Sequence, residues 1–185
     1  MGKTRLFLRL VQQEDRETFP SVQCNESCLS REPELTLIDV PGTQKFTNRI
    51  TTLLPQCACV VFVVDAAEFK LAESSSLLFK CIISNVNFLH NATPLLIVCN
   101  KVFSDKSLES KIRSLLEVEI ARLIRTAEAD ENIAEGAVNE LLDSQGKFSF
   151  SSLKGNTSFL SGSVASESEE FVKAIHSAII NSVSN

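Results

Sequence analysis

Cys57-Ala58-Cys59-Val60-Val61-Phe62-Val63-Val64-Asp65 puts eight apolar side chains in a row and closes them with a carboxylate. A run of this kind suits a parallel strand buried on both faces, since no solvated side imposes alternation. Pro94-Leu95-Leu96-Ile97-Val98-Cys99-Asn100 repeats the plan and ends on an amide. Glu34 to Asp39 is a shorter strand, again closed by an aspartate. Stretches with helical spacing lie around these runs. Thr4 to Gln12 is apolar on one face, through Leu6, Phe7, Leu10 and Val11. Leu108, Ile112, Leu115, Leu116, Ile120, Leu123 and Ile124 make a second stripe. Ser166-Glu167-Ser168-Glu169 is a capping box. It leads into a last helix that turns Phe171, Ile175, Ile179 and Val183 inward. Strands alternating with helices predict an α/β fold, a three-layer parallel sheet with helices on both faces.

A chain of 185 residues is long enough for one domain with a real core, and 1–185 reads as a single unit. Net charge is −5 with no basic cluster, which argues against direct nucleic-acid binding or attachment to anionic lipid. The apolar runs fall far short of the roughly 20 residues needed to span a bilayer, so no membrane span is expected in this chain. No secretory signal peptide is expected either. The six cysteines do not fit zinc-ligand spacing, and those in the strands behave as small apolar groups. Residues 127–146 carry six acids and no Lys or Arg. That composition predicts an acidic surface insertion of disordered character, with a partner-binding loop as the alternative.

The chemistry is concentrated at the ends of the strands. Gly2-Lys3-Thr4 is the tail of the phosphate-loop pattern G-x-x-x-x-G-K-[ST]. In such a loop backbone N–H groups wrap a phosphate, the lysine neutralises charge, and the hydroxyl ligates Mg²⁺. Asp39 and Gly42 have D-x-x-G spacing, in which the carboxylate reaches Mg²⁺ through water and the glycine N–H meets a γ-phosphate. Asn100-Lys101 begins N-K-x-D, in which the lysine stem lies over the base and the final aspartate accepts two guanine N–H bonds. The fourth residue here is Phe103, which accepts neither. Asp105 lies two residues further and could substitute in part; otherwise guanine selectivity is lost. Each motif alone is weak: a polar helix start, a strand-to-turn aspartate, a loop lysine. The ends of parallel strands meet along one edge of a sheet, where nucleotides bind. The three signals in this order describe a GTPase.

These residues resemble the Ras-like small GTPases, and within them the beta-subunit family of the signal recognition particle receptor. Leu35-Thr36-Leu37-Ile38-Asp39-Val40-Pro41-Gly42 carries the resemblance, with Pro between the Asp and the Gly. So do Val60 to Phe69, Thr93 to Lys101, and Lys147-Phe148-Ser149-Phe150-Ser151-Ser152-Leu153. The resemblance implies a small-GTPase sheet that binds GTP and Mg²⁺. It implies cofactor contacts from Gly2, Lys3, Thr4, Ser21, Asp39, Gly42, Asn100, Lys101, Ser163 and Val164, with Thr4, Ser21 and Asp39 toward the metal. Ser21 comes from Thr18-Phe19-Pro20-Ser21-Val22, which is similar to the first switch of Arf-type GTPases. Ser163-Val164-Ala165 stands for the last base-contacting loop, whose backbone N–H groups can still reach the base.

By the same resemblance the implied partner is the receptor's alpha subunit, anchored at the cytoplasmic face of the endoplasmic reticulum membrane for co-translational targeting. The ribosome and translocon would be met indirectly. The chain is expected to lack the family's first strand, the front of its phosphate loop and its N-terminal membrane span. The sheet should then be gapped beside the strand ending at Asp39. Thr43 stands where small GTPases place a water-orienting Gln or His, so at most weak GTP hydrolysis is expected. Two alternatives remain open: a nucleotide-free GTPase-like scaffold, and an Arf-type trafficking GTPase.

Overall fold

The computed structural model describes residues 2–13, 15, 18, 23–32, 34–42, 44–103, 105, 107–127, 139–165 and 169–184. The apolar runs form a parallel sheet of three strands in the order β3 (Val60–Asp65), β4 (Leu95–Asn100) and β5 (Thr157–Gly162). Strand β3 starts at Val60 rather than Cys57. Pro55, which has no N–H for a ladder, sits in a 3₁₀ turn over Leu54–Gln56, and Cys57 caps that turn. The register aligns Asp65 with Asn100, and Asn100 with Gly162. The last residues of all three strands therefore stand side by side.

Side chains alternate across this sheet into two cores. Phe62, Val64, Leu95, Ile97 and Cys99 face one layer. Over them lie α2 (Thr47–Leu53) through Ile50, α3 (Leu71–Leu78), its π-helical continuation Phe79–Ile83, α4 (Val86–His90) and α5 (Ser107–Ala127). Val63, Leu96 and Val98 face the other layer, with Leu6 of α1 (Lys3–Gln12) and Ile175 and Ile179 of α6 (Glu170–Ser184). Helices thus cover both faces, as the sequence predicts. On α5, Ile112, Leu116, Ile120 and Ile124 are buried, but Leu115 is 46% exposed. Leu115 lies at the edge of the stripe and belongs to the solvated side. Of the expected capping box before α6, Ser166 lies outside the described residues, while Glu169 pairs with Lys173 at 2.9 Å.

A second sheet pairs β1 (Asn25–Arg31) with β2 (Glu34–Asp39) in antiparallel register, placing Asn25 opposite Asp39. Among the described residues no ladder joins β2 to β3. Strand β1, Asn-Glu-Ser-Cys-Leu-Ser-Arg, is too polar to announce itself by hydropathy. Its formation depends on the ladder with β2.

The acidic segment is not uniform. Residues 128–138 lie outside the described residues. Leu141, on a 3₁₀ turn over Asn139–Leu141, is buried in the larger core. Leu142 bridges to Phe148, and the Asp143 carboxylate accepts the backbone N–H groups of Gln145 and Lys147 at 2.8 Å each.

Gly162 closes β5 under the ring of Phe171. A Cβ at Gly162 would stand 2.6 Å from that ring. Gly162→Ala should therefore push α6 off the sheet end and cost on the order of 1–3 kcal/mol. The check is the denaturant midpoint of folding. An unchanged midpoint would show that Phe171 yields freely.

Candidate nucleotide site

The strand ends and the start of α1 meet around one buried amide. Asn100 is 3% exposed. Its Oδ1 accepts the backbone N–H of Val164 at 2.8 Å. On its other side lies Gly2, with φ of 85°; a Cβ there would stand 2.6 Å from Asn100 Nδ2. Both the backbone angle and this close approach call for glycine. One side chain thus touches the residue that leads into α1 and the loop that follows β5. Ser163 is buried in that loop, and its Oγ accepts the Ala165 N–H at 3.3 Å.

Lys3 and Thr4 open α1, whose free N–H groups and dipole favour an anion. The Thr4 hydroxyl donates to Asp39 Oδ2 at 2.8 Å, and Asn25 Nδ2 donates to the same oxygen at 3.2 Å. Asp39 itself is buried at the end of β2. Burial pushes the Lys3 ammonium below the usual lysine range, and the nearby Asp39 charge partly offsets this. The result is a half-buried cation beside a hydroxyl–carboxylate pair at a helix N-terminus. A hydroxyl and a single carboxylate are hard oxygen donors. They fit Mg²⁺, which takes few protein ligands and completes its shell with phosphate and water. No group of three or more His, Cys, Asp or Glu able to hold a metal occurs among the described residues.

Lys101 has a left-handed φ of 66° and turns its ammonium onto Asp65 Oδ2 at 2.6 Å. Asp65 Oδ1 also accepts the Glu68 N–H at 3.2 Å. Burial opposes ionisation of Asp65 most strongly of any one influence, but the Lys101 hydrogen bond, the Glu68 N–H and the Lys101 charge together outweigh it and hold the carboxyl below its ordinary value. The same bond raises Lys101. A lowered carboxyl gives stability that is present above its unfolded pKa of about 3.9 and lost as pH falls through the folded value. A raised lysine gives stability that is present below about 10.4 and lost as pH rises through its folded value. The stability difference between the parent and Asp65→Asn should accordingly be flat from about pH 5 to pH 9 and shrink in acid. Denaturant titrations from about pH 2 to pH 9 check it, and a difference that grows below about pH 4 would contradict the pairing.

Phe103 is 78% exposed three residues beyond Asn100. Asp105 is committed elsewhere: its Oδ1 accepts both the N–H (2.9 Å) and the hydroxyl (2.6 Å) of Ser107 at the start of α5. Reading a base with Asp105 would cost α5 that cap.

Among the residues singled out from sequence, direct contacts join Gly2 to Asn100, Asn100 to Val164, and Thr4 to Asp39. Lys101 is adjacent to Asn100 but bonded to Asp65. Gly42 lies three residues past the end of β2. Ser21 and Thr43 lie outside the described residues. Three contributors were not singled out: Asn25, Asp65 and Arg9, whose Nη1 donates to the Val164 carbonyl at 2.6 Å. Asp65 ends an apolar strand just as Asp39 does, and that signal was available. Arg9 is one more charged residue on an amphipathic helix and carries no such mark.

Comparison with known proteins gives a consistent picture. Residues 1–157 match the family model of the signal recognition particle receptor beta subunit. A curated signal recognition particle receptor subunit beta from Dictyostelium discoideum is 27% identical over 179 residues. That alignment takes in 91% of this chain and 61% of the relative, so the chain spans about three fifths of that protein's length. A chain in the structure of the mammalian SRP receptor is 28% identical with a TM-score of 0.74, covering 95% of this chain and 93% of that one. The SRb-GTP/SRX complex from Chaetomium thermophilum shares the fold, with 20% identity, a TM-score of 0.65, and coverage of 95% and 93%.

Proposed function

The chain belongs to the signal recognition particle receptor beta subunit family, and on that footing we propose that it binds GTP with Mg²⁺ in the crevice around Asn100. In that state it holds the receptor's alpha subunit at the cytoplasmic face of the endoplasmic reticulum membrane. The observation that carries this reading is the position of Asn100, touching Gly2 on one side and Val164 on the other. Phosphate-facing and base-facing elements thereby share one wall. The relative solved as SRb-GTP with SRX supports the choice of nucleotide.

Lys3 and the N-terminus of α1 take the triphosphate. Thr4 and Asp39 would hold Mg²⁺, which supplies charge neutralisation on the phosphates. By the family resemblance Ser21 would complete that set, and Gly42 would give its N–H to the γ-phosphate. The Lys101 stem, Ser163 and Val164 border the base. Ser21 and Gly42 would face the bound nucleotide, and the surface they belong to would contact the partner. Hydrolysis is at most slow, with Thr43 where a water-orienting side chain would stand. The ribosome and translocon are engaged through the alpha subunit.

The test is a pull-down with the alpha-subunit domain that contacts the beta subunit. Retention at saturating Mg·GTP, lost with Mg·GDP, supports the clamp; equal retention with either nucleotide, or none with both, refutes it. A second reading, a nucleotide-free binding module, is favoured by Phe103 in place of the base-reading acid and by Thr43 in place of a water-orienting side chain, and retention without any nucleotide would support it.

A further inference from the structure

We propose that Arg9 is a positioning residue for the base-contacting loop, setting the Val164–Ala165 peptide against the nucleotide; this rests on the nucleotide reading above. Arg9 lies in the last turn of α1, the helix whose first residues are Lys3 and Thr4. Its Nη1 donates to the Val164 carbonyl at 2.6 Å. The Val164 N–H is already held by Asn100 Oδ1 at 2.8 Å. Val164 is therefore gripped at both its backbone groups, while its side chain is fully buried beside Leu6, Val63 and Ile175.

The consequence lies in the next peptide unit. The Val164 carbonyl and the Ala165 N–H belong to the same amide. A guanidinium on that oxygen fixes the plane of the amide and polarises its N–H into a stronger donor. Among the described contacts, the Ala165 N–H reaches only the Ser163 hydroxyl, at a long 3.3 Å. It is the loop donor most easily exchanged for a carbonyl oxygen on a base. Arg9 thus ties the helix that begins at the phosphates to the amide that meets the base. A neutral side chain of similar length fills the same space and leaves that amide unaimed.

The experiment measures Mg·GTP and inorganic triphosphate binding by the parent, Arg9→Met and Arg9→Lys, with hydrogen exchange at residue 165 as a second readout. The role predicts that Arg9→Met weakens GTP by about tenfold, the scale of one charge-assisted hydrogen bond. Inorganic triphosphate, which has no base, should be unaffected within about twofold. Arg9→Lys, which restores a charged donor, should recover most of the loss. Exchange at the Ala165 amide should rise in Arg9→Met without nucleotide. GTP affinity unchanged in Arg9→Met overturns the proposal. So does an equal loss for GTP and triphosphate, since that marks general damage to the helix. A parent that binds triphosphate but shows no gain from the base also overturns it. A parent that binds neither ligand refutes the nucleotide reading itself, which Lys3→Ala tests separately.

Discussion

Lys3→Ala should weaken Mg·GTP binding by roughly 30- to 150-fold, about 2–3 kcal/mol, the scale of a hydrogen bond to a charged partner in a partly dry site. Lys3 stands at the N-terminus of α1 beside the Thr4–Asp39 pair. Burial has already lowered its pKa, so the protein carries a desolvated cation in readiness for an anion. For the same reason the substitution should leave the melting temperature unchanged or slightly raised, because a half-buried charge with little compensation does not stabilise the fold. Affinity and stability should therefore part company. A variant that loses both together would place Lys3 in the structural framework, and a variant that loses neither would remove it from the site.

Phe103→Asp should create guanine selectivity. The parent should favour GTP over ATP by less than about tenfold, since neither residue that could supply the N-K-x-D carboxylate is ready to do so: Phe103 is apolar and Asp105 caps α5. An aspartate at 103 restores an acceptor for two N–H groups, each bond worth about 1.5–3 kcal/mol. A preference of at least about hundredfold should follow. The exchange disturbs no core, because Phe103 is 78% exposed. Competition of GTP and ATP for one labelled nucleotide measures both ratios. A parent already discriminating by hundredfold would mean that another group reads the base.

The sheet was legible because β3 and β4 are apolar up to their last residues, a pattern that few structures other than a doubly covered parallel strand require. Even there the start of β3 was misjudged at Cys57, since hydropathy does not register the turn that Pro55 imposes. Asp39 and Asn100 were legible as polar residues closing apolar strands. Their partners were harder. Asn25 reaches Asp39 only through the β1–β2 register, and β1 has no hydropathy signature. Arg9 reaches Val164 across 155 positions of sequence, so periodicity could not single it out. The competition for Asp105 was also invisible until α5 was seen to begin at Ser107, leaving the aspartate on a helix start. Local chemistry reveals which residues can act. The contacts that aim them are long-range and come from the fold.

The most direct measurement is equilibrium dialysis of the chain against Mg·GTP, with inorganic triphosphate as competitor. One saturable nucleotide per chain, displaced by triphosphate and weakened by Lys3→Ala, is the predicted result. A folded chain that takes up no GTP at millimolar nucleotide would contradict the idea that Gly2, Lys3, Asp39 and Asn100 surround a working site.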